Sequence, residues 1–190
     1  MFKKFFVLLL FFLLFSGTAS ALEFSADTIT TYNGKSKTAG KIYYKADRFR
    51  MDMESPQKLS MITRMDKKVV WNVMHKEKTY MEMPFDLKNK PMVEEKFEGE
   101  IERKHVGNET IDRHPTKKYM ITYRLGDKKH QVYQWLATDI NFPIKTSAVD
   151  GSWAQEFKNI KFGSQSNSLF EVPAGYQKFQ FQIPGGMKSK

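Results

Sequence analysis

From residue 23 to residue 162 the sequence is written at a period of two and keeps turning back on itself. "FSADTITTY" and "AGKIYYKAD" flank Asn33-Gly34, a hairpin signal because both residues accept positive φ. "RFRMDM" sets Phe49, Met51 and Met53 on one side of an extended chain and Arg48, Arg50 and Asp52 on the other. "KLSMITRMD" alternates Leu59, Met61, Thr63 and Met65 against Ser60, Ile62 and Arg64, and Asp66-Lys67-Lys68 then turns the chain into "VVWNVM". "HKEK" leads into "TYMEM". Beyond residue 100 come "EIERKHV", "TKKYMITYRL", "HQVYQWLA", "PIKTSAV" and "WAQEFKNIKF", with turns predicted at Gly107-Asn108, Gly126-Asp127 and Asp150-Gly151. The pattern predicts a mainly β domain, an antiparallel meander of about ten strands with no long amphipathic helix.

That shortage of helix constrains the fold. A half-buried sheet must hide its apolar face against a helix, a second sheet or itself. This chain supplies little helix, so the sheet must curl into a closed or nearly closed barrel, its interior either filled by side chains or open to a ligand. Residues 84–99 are the one interruption. Val93, Phe97 and Ile101 recur there at helical spacing, with Asn89 as N-cap and Pro91 in the first turn, which predicts a short helix or a covering loop.

The first 21 residues stand apart. "MFKK" is a positive start, "FFVLLLFFLLF" an unbroken apolar run, and Ala19-Ser20-Ala21 a small-residue cleavage site, together the pattern of a secretory signal peptide. The expected mature chain is therefore residues 22–190, a single domain in the periplasm or another extracytoplasmic space. It carries 29 basic against 21 acidic residues once Lys3 and Lys4 have left with the leader. A surplus of this sign favours anionic partners. Export excludes nucleic acid, and the lysines are spread along strand faces without interleaved stacking aromatics. Contact with an anionic membrane surface is the remaining electrostatic expectation. With no cysteine the chain has neither disulfides nor a thiol to acylate, so its stability rests on packing.

Little in the sequence points to catalysis. His75, His105, His114 and His130 are dispersed, and none forms a pair at metal-ligand spacing. There is no G-x-S-x-G elbow, phosphate-cradling loop or catalytic cysteine, so the expectation is a non-enzyme without cofactor. The methionines are the unusual feature. Eight of the eleven fall between Met51 and Met92. "MDM" and "MEM" have the M-x-M form that Cu(I) sites use, but no cysteine or paired histidine reinforces them, so no metal site is expected. Methionine fills irregular space in a core, and it also suits a surface that repacks around varied apolar guests. Its density here favours the second use. The expected lining is Phe49, Met51, Met53, Met61 and Met65, with Trp71 and Val73 from the next strand. Tyr119, Ile121, Tyr123 and Trp135 complete it from the second half of the chain.

Taken in order, "MDM", "GNETIDRHPTKKY", "YQWLATDINFPIK" and "LFEVPAGY" resemble the LolA/LolB/RseB-like superfamily of outer-membrane lipoprotein carriers, in its exported bacterial branch. The resemblance runs over most of residues 23–179. It implies a strongly curved antiparallel half-barrel, with one or two short helices or a loop over an apolar concave face that holds acyl chains. It further implies a monomer whose partner is a lipid or an acylated protein. The alternative within the same family likeness is an envelope-stress-sensing or protein-interaction module that transports no lipid. The carriers begin with a substantial helix before the first strand. Here only Leu22 and Glu23 follow the cleavage site, which leaves residues 84–99 as the expected cover.

Overall fold

The computed structural model describes residues 22–54, 57–86 and 90–179. The expected leader at 1–21 and the proposed N-cap Asn89 lie outside the described residues. The first half of the chain contributes β1 (Glu23–Tyr32), β2 (Ser36–Lys45), β3 (Arg48–Met53), β4 (Leu59–Arg64), β5 (Val69–Met74) and β6 (Thr79–Pro84). The second half contributes β7 (Glu100–Ile111), β8 (His114–Leu125), β9 (Lys128–Ala137), β10 (Phe142–Ala148), β11 (Trp153–Phe162) and a two-residue β12 (Gln177–Lys178). All belong to one sheet in the order β12-β6-β5-β4-β3-β2-β1-β11-β10-β9-β8-β7. Every pairing is antiparallel except β12, which lies parallel to β6. The sheet is a curved half-barrel, open between β12 and β7.

Local chemistry explains most turns. Asn33 and Gly34 take φ of 47° and 68°, the two left-handed positions of the predicted hairpin. Gly126 likewise turns β8 into β9 with φ of 59°. Gly107-Asn108 is different: it is not a turn. β7 runs through it to Ile111, and the reversal falls at Asp112-Arg113, with φ of 47° and 72°. What Gly107 marks is a register shift between His105 and Gly107, the second of two in β7 after that between Glu100 and Glu102. The residues at the two shifts, Ile101 and Val106, are 52% and 42% exposed. Bulges of this kind twist an edge strand away from unwanted pairing.

Register assigns the faces. On the inner face Phe24, Tyr44, Phe49, Thr63 and Val70 follow one another across β1 to β5. Phe24 meets Phe142 edge-on at 4.8 Å and stacks on Tyr44 at 5.6 Å. Around them Ala26, Ile42, Ile144 and Phe157 complete the main core. Val93, 2% exposed, enters that core from residues 90–98. Of the two expected alternatives, a short helix or a covering loop, the described residues 90–98 form the loop. Gly99 ends it at φ of 71°, so close to the Arg124 carbonyl that a Cβ would collide, and Ile101 already belongs to β7. A smaller cluster sits on the outer face, where Ile62, Trp71 and Val73 surround Phe170. Phe170 lies on a single 3-10 turn (Asn167–Phe170) in the C-terminal arm, which crosses β3 and β4 before β12 closes against β6.

Candidate functional site

The sequence-predicted lining divides between the two faces. Met51 lies directly across from Met61, and that row continues through Asn72 to Met81. Met53, Leu59 and Met74 form the next row, and Met83 extends the row of Phe49, Thr63 and Val70. Met65, in the turn after β4, packs on the inner core. All eight methionines between Met51 and Met92 are therefore on the inner side, six of them on β3 to β6, with Asp52 and Glu82 pointing the other way.

Phe49, Met51, Met53 and Met61 line one wall of a groove of about 590 Å³. Trp153, Gln155 and Phe157 of β11 form the opposite wall, and Lys90, Pro91 and Met92 of the loop lie over it. On the far side of the same loop is a second hollow of about 450 Å³, reached by Tyr123 and Phe97, whose rings are 5.0 Å apart. A third, of about 350 Å³, adjoins both, sharing Tyr123 with one and Trp153 with the other. Ile121 and Tyr119 belong to this face but not to the groove. Ile121 is fully buried, and Tyr119 lies under the Arg103 guanidinium at 5.1 Å.

Trp71, Val73 and Trp135 are corrections, since all three point outward. Arg64 pairs with Val69 across a four-residue turn, which places Ile62 opposite Trp71 and sends Trp71 and Val73 to the outer cluster. Trp135 stands in one row with Lys118 and Lys145, whose ammonium groups lie over its ring at 4.6 and 4.9 Å. Met92, Trp153, Gln155 and Phe157 were missing from the expected lining. Phe157 alternates with polar neighbours in "WAQEFKNIKF", which is the signal that could have placed it.

The covering loop is held at both ends of its polarity. Val93 plugs the core, while fully buried Gln134 accepts a hydrogen bond from Arg103 at 3.0 Å and donates one to the Glu94 carbonyl at 3.2 Å. Arg103 also donates to the Glu95 carbonyl at 2.5 Å and grips both oxygens of Glu100 at 2.8 Å. The Arg103 hydrogen bond holds the Glu100 carboxyl below the usual carboxylate range. Burial pushes the Tyr44 phenol beneath the loop up to about 12, with the nearby charge of Glu94 adding to it.

On the outer face a polar chain has a superficial likeness to hydrolytic machinery. Ser60 Oγ is 2.7 Å from His75 Nε2 and 2.5 Å from Asp52, and His75 Nδ1 is 3.0 Å from the Tyr176 hydroxyl. Ser60 is 1% exposed beneath the arm, so no substrate reaches it. Arg50, bonded to Asp52 at 2.7 Å and to the Leu169 carbonyl at 3.0 Å, shows what the chain does: it fastens the arm. Among the described residues no group of three His, Cys, Asp or Glu side chains could hold a metal. No helix there is long and apolar enough to cross a membrane.

Residues 27–141 match a family described as a domain of unknown function, DUF4412. The chain belongs to this family. Comparison with curated proteins finds no match. Among solved structures, the MucA/MucB complex of Pseudomonas aeruginosa aligns with 82% of the chain at a TM-score of 0.54 and 14% identity. A crystal structure of MucB in complex with MucA(peri) gives 0.50 and 13% over 80% of the chain. The chain covers 57% and 55% of those two proteins, just over half their length. A LolA superfamily protein from Nitrosomonas europaea aligns with 80% of the chain, and 90% of its own, at 0.40 and 10% identity. The fold is shared with MucB of those two complexes.

Proposed function

We propose that this DUF4412 member binds apolar chains, the acyl chain of a lipid or of a lipidated protein, in its inner groove outside the cytoplasm. The observation that carries the reading is the placement of all eight methionines from Met51 to Met92 on one side of the sheet, four of them (Met51, Met53, Met61 and Met92) lining an open groove. Ligand pockets commonly enclose roughly 300–1,000 Å³, and this one is within that range at about 590 Å³. Thioethers with three rotatable bonds adapt to chains of differing shape without a fixed complementarity. A buried methylene gains about 0.8 kcal/mol relative to water, but a chain arriving from a bilayer gains little, since lipid is already apolar. A groove about as apolar as a membrane can therefore receive and release its cargo. The chemistry of this reading is binding.

The test is uptake of a fluorescent fatty acid. Met51→Glu with Met61→Glu is expected to abolish uptake while the protein stays folded, because a carboxylate at the groove wall keeps contact with water. Probe retained by the folded double variant, or probe never taken up by the parent, removes the reading. A second reading rests on a separate observation, the fold shared with a protein solved in complex with MucA. An interaction module would use the same face for a partner polypeptide. Native mass spectrometry of protein purified from cells separates the two: bound lipid supports the carrier, and a co-purified protein without lipid supports the module.

A further inference from the structure

The inner methionines are neither core nor ordinary surface. Met51, Met53, Met61, Met74 and Met81 are half-buried, and Met83 is 41% exposed, all on four neighbouring strands of one face. Met51, Met53 and Met61 border the groove, so small solutes that enter it meet sulfur. Met120 is on the outer face, in the row of Lys104 and Tyr133. The chain has no cysteine, so no thiol competes for an oxidant.

We infer that this face is a reversible oxidation site, a substrate for peroxide in one direction and for methionine sulfoxide reductases in the other. In the forward step a thioether sulfur attacks one oxygen of hydrogen peroxide. An S–O bond forms, the O–O bond breaks, and the second oxygen leaves as water with both protons, so sulfur is oxidised by two electrons and peroxide is reduced. In the return step two thiols of the reductase supply two electrons and two protons, the sulfoxide oxygen leaves as water, and the thiols become a disulfide. Each sulfoxide replaces a soft apolar contact with a polar S–O group. Because Met51, Met53 and Met61 border an open groove, Met83 is exposed and Met74 and Met81 are only half-buried, that group is solvated where it forms, and the sheet survives. What is lost is the apolar character of the wall. This last consequence rests on the binding reading given above; the location of the oxidation does not.

The experiment treats the folded full chain with hydrogen peroxide and maps oxygen uptake by peptide mass spectrometry, with urea-unfolded chain as reference. In urea all methionines are expected to react alike. In the folded chain exposed Met83 is expected to convert first, followed by the half-buried Met51, Met53, Met61, Met74 and Met81, with the β-sheet circular dichroism unchanged. Reductases specific for the two sulfoxide epimers, supplied with dithiothreitol, are expected to return the mass without denaturant. Fatty-acid probe bound before treatment is expected to be lost after it and regained after reduction. Three results would overturn the inference: groove thioethers that stay reduced while the chain is folded, unfolding that keeps pace with their oxidation, or sulfoxides the reductases reach only in denaturant. If untreated protein never takes up probe, the binding reading fails, and mapping and repair alone decide whether the site exists.

Discussion

Each face of the sheet has one irregular segment laid across it, and the two are fastened differently. The C-terminal arm on the outer face buries Phe170 completely among Ile62, Trp71 and Val73. It is tied by Arg64, which reaches the Phe170 carbonyl, Asp66 and Glu171, and by the Arg50, His75 and Glu82 contacts to Leu169, Tyr176 and Lys178. The loop over the inner face inserts one valine, is tied through Gln134 and Arg103, and leaves hollows on both sides. An arm that buries an aromatic ring completely completes a core, whereas a loop that leaves hollows beside it is a cover. The inner face carries the main core and, on the proposed reading, a covered groove beside it, whereas the outer segment completes a smaller core of its own.

The largest test of that division is Phe170→Ala. Removing a fully buried aromatic ring should destabilise the protein by about 4 kcal/mol, read from urea unfolding, because the cluster around it cannot collapse. On the inner side, Gln134→Leu should cost about 2 kcal/mol by leaving the Glu94 carbonyl without its donor and Arg103 without one of its acceptors. Val93→Ala removes two methyl groups and should cost about 2 kcal/mol as well. The inner pair should alter fatty-acid uptake, and Phe170→Ala, in conditions where it remains folded, should not. A loss of uptake that simply tracks stability would erase the distinction between core and cover.

Acid should act on the arm by smaller steps. Burial, followed by the Arg50 charge, holds the His75 imidazole below its ordinary 6.5, with Lys58 lowering it further and Asp52 and Glu54 opposing. The hydrogen bond from Arg64 holds the Asp66 carboxyl at about 2 against an ordinary 3.8. Both values are depressed in the folded state, so both groups stabilise it at higher pH. The His75 contribution is complete above 6.5 and is lost as pH falls through its lowered value. The Asp66 contribution is complete above 3.8 and is lost as pH falls toward 2. Urea midpoints should therefore decline in two stages, and His75→Gln should flatten the first. A midpoint indifferent to pH between 7 and 5 would show that the Tyr176 contact does not restrain the arm.

How much of this was legible depends on what each signal encodes. Alternation and the Asn33-Gly34 and Gly126-Asp127 turns located the strands, because side-chain period and positive φ are local properties. Gly107-Asn108 misled for the same reason. Glycine marks backbone freedom, and here a bulge used it while Asp112 and Arg113 made the turn. Alternation also cannot say which face is inner when both are covered. In "VVWNVM" Val70 belongs to the inner face and Trp71 and Val73 to the outer, and only the pairing with Arg64, set by the length of the preceding turn, decides between them. The arm was hardest to foresee. "SLFEVPAGY" has no period, and its apolar residues take their meaning from a surface formed by strands about a hundred residues earlier.

The smallest expected effect is the most informative about the methionines themselves. Met51→Leu and Met61→Leu keep volume and apolarity, and swaps of that kind usually cost less than about 1.5 kcal/mol. Both side chains are half-buried at the groove wall, so the cost here should sit at the low end of that range. Leucine has fewer rotatable bonds than methionine and a branched end, so the wall repacks less freely around a bound chain. The double variant should therefore unfold near the parent's urea midpoint and still take up fatty acid, but across a narrower span of chain lengths. A graded series of saturated probes measures this directly. If the variant accepted the same span as the parent, any apolar side chain would serve at the wall, and methionine's adaptability would have no part in binding. If it unfolded much more easily, the thioethers would be filling space that shape alone defines, and the groove would close into ordinary core.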